Sequence, residues 1–266
     1  MLLLALDTAT TAVAVAVHDG TRTLAEVLID GGATAMPRHG ELLAPALEQV
    51  MADAAVGMGD LTHVVCGVGP GPFTGLRVGL VTAAVLARTQ GVPVVGVCTL
   101  DALARQALQA SHGSAADDDG AAGTGGGVAV ATDARRREVY LARYDASGRR
   151  TWGPRVLTPA DAVAGCGGLP VVGPGALLHA GVLRAAGVTV GGPVAVSAAA
   201  LAAFAAERLR AGDPLPDPAA TYVVGASHDD GAATMVPWGL LPAVPLYLRR
   251  PDAVPSVPVP VPGSRP

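Results

Sequence analysis

The chain has 266 residues, half of them hydrophobic, and a formal net charge of −4. That length holds one large domain or two of ordinary size, and the negative balance argues against an autonomous nucleic-acid binder, which normally carries a basic stripe to displace counterions. All 18 basic residues are arginine, which excludes mechanisms built on lysine: Schiff bases, P-loop phosphate capture and kinase-type Lys–Glu pairs.

Three strands open the chain. Leu2–Leu6 is a continuous aliphatic run, Ala12–Val17 is apolar and ends at the turn Asp19-Gly20, and Thr23–Ile29 follows. Asp7 interrupts the first run and no basic leader precedes it, so the segment reads as a core strand rather than a signal peptide. A helix from His39 to Ala55 carries Leu42, Leu43, Ala46, Leu47, Val50 and Met51 at helical spacing, with Pro45 inside it. Strand His63–Val68, helix Thr74–Gln90, strand Val92–Val97 and helix Leu100–Gln109 then alternate as βαβ crossovers. Residues 111–127 lack apolar periodicity and read as a linker.

A second unit repeats the opening order, with strands near 128–132, 138–144, 152–157 and 170–173 and helices near 175–186 and 197–211. The expected fold is therefore α/β, a duplicated pair of domains facing across a cleft. The first spans 1–110 and the second 128–250, with its last helix available to pack back on the first. The segment 225–239 reads as loop, and 251–266 as a Pro-rich tail. The most apolar internal stretch, Val78–Ala87, is too short to span a bilayer. Cys66, Cys98 and Cys166 read as buried free thiols, and the chain as a soluble cytoplasmic protein.

The most specific motif is GVGPGPFTGLR at 67–77. Gly69 and Gly71 permit close backbone approach and Thr74 is placed to cap the following helix. Such a helix start either cradles a phosphate or is a tight turn needing glycine for steric reasons. Gly75, Gly79, Ala83 and Ala87 form a small-residue stripe, with Leu76 and Leu80 beside it, on which another helix can lie closely. Asp7, Thr8 and Thr10 at the first strand end suit either hydrated magnesium or phosphate, or a plain hydrogen-bonded turn. The six histidines are never closer than 21 residues, so no local metal-binding pair exists, and His39 reads as a helix-start or interface residue. Arg135, Arg136 and Arg137 read as a solvated hairpin tip, with contact to RNA or an acidic partner as the other reading.

The strings RHGELLAP (38–45), GVGPGPFTGLRVGL (67–80), TDARRREVY (132–140) and LYLR (246–249) together resemble the bacterial TsaB (YeaZ) family, in order along almost the whole chain. These proteins are the dimerisation subunits of the complex that forms threonylcarbamoyladenosine in tRNA. The resemblance implies the actin and sugar-kinase (ASKHA, ribonuclease H-like) fold and a non-catalytic subunit with no metal of its own and no catalytic residues. It implies a TsaD-type catalytic partner, a TsaE-type ATPase, a possible homodimer, and tRNA met only indirectly. The first two helices would form the partner surface, here His39, Leu42, Leu43, Leu47, Thr74, Leu76, Gly79, Leu80 and Ala83. ATP or ADP near that interface would meet Asp7, Thr8, Thr10, Gly69 and Gly71. The alternative is an ATP-dependent small-molecule kinase or acyl transferase of the same fold.

Overall fold

The computed structural model describes residues 1–30, 38–114, 126–217, 219–220 and 236–248. The strands β1 (Leu3–Asp7), β2 (Ala12–His18) and β3 (Thr23–Asp30) form an antiparallel meander, as the turn residues predict. After α1 (His39–Ala54), β4 (His63–Gly67) joins β1 in parallel. After α2 (Phe73–Gln90), β5 (Val94–Val97) joins β4. The resulting five-stranded sheet has the order β3-β2-β1-β4-β5. Helix α1 runs on through Pro45, which sits on its solvent side, where the missing N–H costs one rung without disturbing the packed face.

The second half repeats this plan. β6 (Val128–Asp133), β7 (Val139–Tyr144) and β8 (Arg150–Leu157) form the meander. Helix α4 (Pro159–Gly165) leads to β9 (Val171–Val172), parallel to β6. Helices α5 (Pro174–Leu178) and α6 (Ala180–Ala185) lead to β10 (Val190–Gly191), parallel to β9. The sheet order β10-β9-β6-β7-β8 reproduces the first with the halves exchanged one for one. Sequence reading missed α4 and β10 and joined α5 to α6, which the chain breaks at His179.

The closing helix of each half reaches the other half. Helix α3 (Thr99–Ser114) lies against β6, and α7 (Ala198–Arg210) lies across β1, β2 and β3. Since α1 also packs on β2 and β3, and does so without α7, the two helices cover opposite faces of the first sheet. This is why every residue of β1 and β2 is buried. The segment 236–248 also returns to the first half. Leu241 and Gly96 exchange backbone hydrogen bonds of 2.8 and 2.6 Å, and Leu246 N–H donates to Val68 O at 2.9 Å. Helix α3 takes in the first four residues of the predicted linker, 111–114. The rest of that linker, most of the 225–239 loop and the Pro-rich tail lie outside the described residues.

One buried polar knot joins the halves. The Arg150 guanidinium pairs with Asp101 of α3 (Nε–Oδ1 2.9 Å, Nη2–Oδ2 3.2 Å), and the Tyr144 hydroxyl donates to Asp101 Oδ1 at 2.7 Å. Arg150 also donates to the carbonyls of Val236 and Pro237. Burial and the neighbouring Asp101 carboxylate push the Tyr144 hydroxyl far above its usual range. The three cysteines are free and buried, and burial pushes the Cys98 thiol up to about 12. Among the described residues no helix is long and apolar enough to cross a membrane.

Candidate functional site

Parallel pairing of β1 with β4 brings the end of the first strand against the 67–72 turn. Asp7 there is wholly buried; its Oδ1 accepts from Ala9 N–H at 2.8 Å and its Oδ2 from the Thr99 hydroxyl at 2.6 Å. Thr99 Oγ1 accepts in turn from Gly69 N–H at 3.2 Å. Burial raises the Asp7 carboxyl to about 6, against the opposing effect of its hydrogen bonds from Thr99 and Ala9.

Thr8 explains the glycines of α2. Its hydroxyl donates to Gly75 O at 2.7 Å and accepts from Gly79 N–H at 3.0 Å, bridging the two ends of one helical rung. A Cβ at position 79 would stand 2.5 Å from that hydroxyl, and one at Gly71 would stand 2.1 Å from Ala9 O. His39 completes the knot: its Nε2–H donates to Thr10 O at 2.8 Å, and its ring lies over Gly75.

Asp7, Thr8, Thr10, Gly69 and Gly71 thus lie in one region, but their polar groups are engaged within the chain: Asp7 with Ala9 and Thr99, Thr8 with Gly75 and Gly79, Thr10 with Ala12, and Gly69 with Thr99. The Asp7 carboxylate and the Thr8 hydroxyl reach no solvent. Of the two readings of this strand end, the hydrogen-bonded turn is the one these contacts describe. The steric reading of the glycine turn fits in the same way.

The small-residue stripe needs a correction. Gly79, Ala83 and Leu76 are buried, with Leu80 only 5% exposed, because this face of α2 packs on β1 and β4 of its own sheet. His39, Leu43 and Leu47 of α1 are likewise buried in the chain, and Leu42 is half-buried. Thr74 does not cap α2; the N-cap position is Pro72, and Thr74 is exposed in the first turn. The solvent side of α2 is instead apolar. Val81 and Val85 are both 57% exposed and share one face with half-buried Val78 and with Thr74. At its N-terminal end Phe73 stacks on Tyr247 (centroids 5.3 Å apart), and the Arg77 guanidinium lies 4.9 Å above the Phe73 ring.

Sequence reasoning missed Thr99, which lies 92 residues from Asp7 and carries no motif. It also missed the outward valines and Phe73, although their spacing was available. The described histidines sit on separate elements, and among the described residues no three His, Cys, Asp or Glu side chains converge on a metal-sized site.

The family model for TsaD, tRNA N6-adenosine threonylcarbamoyltransferase, matches residues 33–174. An uncharacterized Mycobacterium tuberculosis protein is 38% identical over 257 residues, covering 95% of this chain and 93% of that one. The tRNA threonylcarbamoyladenosine biosynthesis protein TsaB of Escherichia coli is 31% identical over 154 residues, or 57% of this chain and 58% of that one. Among solved structures, YeaZ from Pseudomonas aeruginosa superposes with a TM-score of 0.63 at 27% identity, covering 80% of this chain and 95% of that one. A second P. aeruginosa structure, described as similar to peptidase YeaZ, gives 0.66 at 25% identity over 93% of this chain and 99% of that one. With the duplicated α/β halves and the knot at 67–79 in place, these likenesses identify the chain as a member of the TsaB (YeaZ) family, within the group that the threonylcarbamoyltransferase model describes.

Proposed function

We propose that this chain is a non-catalytic accessory subunit in the formation of N6-threonylcarbamoyladenosine in tRNA, binding and supporting a TsaD-type transferase. The observation that carries the reading is the outward face of α2, where Val81 and Val85 are exposed beside α1 while the small-residue face is spent on the chain's own core. An exposed apolar face flanked by charged residues of the same helix, here Arg77 and Arg88, is the usual physical mark of a protein-binding surface. The partner helices would therefore meet Thr74, Val78, Val81 and Val85 rather than Gly79 and Ala83. The same reading includes a TsaE-type ATPase in the assembly, ATP or ADP near the subunit interface, and a homodimer through the same helices when the transferase is absent.

The test is co-expression with a TsaD-type transferase followed by sizing chromatography and a reconstituted tRNA modification assay. Wild-type chain should co-elute and be required for modification. Val81→Asp/Val85→Asp should elute alone with unchanged melting temperature. Separate elution of the wild-type proteins under all nucleotide conditions would overturn the reading. ATP turnover by the isolated chain, lost in Asp7→Ala, would instead favour the kinase or acyl-transferase alternative.

A further inference from the structure

Charge is divided unevenly along this chain. Residues 1–110 hold five arginines against nine carboxylates, whereas 128–157, the meander β6–β8, hold seven arginines against three. Of those seven, Arg150 pairs with Asp101 of α3 and Arg149 lies over the Trp238 ring of the 236–248 segment. We infer that the β6–β7 hairpin tip and the adjoining face of β7 and β8 form a phosphate-binding strip through which this chain contacts tRNA itself, an inference that rests on the proposed role in tRNA modification.

Three observations carry it. First, Arg135, Arg136 and Arg137 all adopt positive φ, at 61, 53 and 61°, in an exposed tip between paired strands. Left-handed backbone disfavours any side chain with a Cβ, and glycine would fit each position at less cost. The sequence holds arginine at all three, so the stability forgone is offset by something the side chains do. Asp133 accepts from Arg135 N–H and pairs with its guanidinium, which pins the tip's first residue.

Second, the strip continues along the hairpin. Arg143 and Arg155 both stack on the half-buried Trp152 ring, at 4.8 and 5.1 Å. Among the described residues neither arginine, nor Arg137, pairs with a carboxylate, and the buried Arg143 Nε has no hydrogen-bond partner. From Val139 to Arg143 the strand advances about 13 Å at its usual rise, and the tip arginines precede it, room for more than one phosphate. Third, guanidinium forks held by aromatic stacking suit phosphate oxygens while shedding little rotamer freedom. A strip of this length in which arginines outnumber carboxylates fits a nucleic-acid backbone better than a point contact to one acidic side chain.

The test uses the full chain assembled with its TsaD-type transferase and an in vitro transcribed tRNA as probe. Arg136→Gly/Arg137→Gly/Arg155→Gln removes three charges, and glycine suits the tip's backbone, so the hairpin is retained. Binding measured from 50 to 300 mM salt should weaken about 10- to 100-fold near 150 mM, with the slope of log K against log salt reduced by about 2 to 3. Co-elution with the transferase should be unchanged. Unaltered RNA affinity and slope would overturn the strip, as would loss of transferase binding with RNA affinity intact, since the tip would then be a protein contact. Failure of wild-type chain to assemble with the transferase would instead overturn the underlying functional reading, and is scored separately on the same column.

Discussion

Asp7→Asn should make the protein more stable at neutral pH and remove one component of its pH dependence. In the folded chain burial raises the Asp7 carboxyl from 3.8 to about 6. A folded-state value above the unfolded one means that this group's favourable contribution is complete below pH 3.8. It is lost progressively as pH rises through 6. The size follows from the shift: at about 1.4 kcal/mol per unit, roughly 3 kcal/mol disappears across that window. Asparagine keeps the acceptor for Ala9 N–H but turns an amide toward Thr99 Oγ1, whose hydroxyl then needs a new acceptor. That mismatch costs about 1 kcal/mol, leaving a net gain of about 1–2 kcal/mol at pH 7.5. Urea unfolding of both proteins at half-unit steps from pH 4 to 8 measures it. The informative quantity is the difference between the two stability curves, because exposed carboxylates such as Asp19, held low by Thr21 and Arg22, cancel in it. A difference that stays flat from pH 4 to 7.5 would show that burial does not raise the Asp7 carboxyl as described above.

Three further outcomes are expected. Arg150→Met should lower stability by about 3–5 kcal/mol in calorimetry, because the buried Asp101 carboxyl loses its guanidinium partner and retains only the Tyr144 hydroxyl; Arg150→Met/Asp101→Leu should recover most of that. Gly79→Ala should cost about 2 kcal/mol or more by displacing the Thr8 hydroxyl from the α2 rung, and adding Thr8→Ala should be less than additive in the same denaturation assay. Val85→Lys, by contrast, should change the melting temperature by little while weakening association with a TsaD-type transferase, read by light scattering.

The order of strands and helices in the first half was legible because its signals are strong. β2 is an unbroken apolar run ended by Asp19-Gly20, and α1 and α2 carry long periodic faces. The second half was harder for the same reason inverted. Helix α4 is seven residues, mostly alanine, glycine and proline, and β10 is two residues long, so neither gives a periodic signal. At the candidate site, composition located the important turn but misjudged its orientation. Glycine and alanine at every fourth position report that something approaches closely, not what approaches. Here it is Thr8, just past the end of β1 and 67 residues away from the carbonyl it reaches. With small residues on one face and valines on the other, α2 is apolar nearly all round, and periodicity alone cannot say which side is inward. Contacts such as Asp7 to Thr99 depend on two segments meeting only after the sheet is built, and they leave no local trace.

The exchange of closing helices bears on how the polypeptide is made. The first sheet is laid down early in synthesis, yet one of its faces is covered by α7, and the backbone of β5 is paired through Gly96 with Leu241. A nascent chain that has emerged only as far as β5 therefore presents the sheet's α7 side and the open edge at β5 to the surroundings. The α7 side stays uncovered until about a hundred more residues have been added, and the β5 edge until about 145 have. A chain released before residue 197 would carry them permanently and should partition into aggregates or be degraded, even though every residue of β1, β2 and β4 is present. Ribosome stalling or nonsense truncation in the second half would thus remove the first half as well.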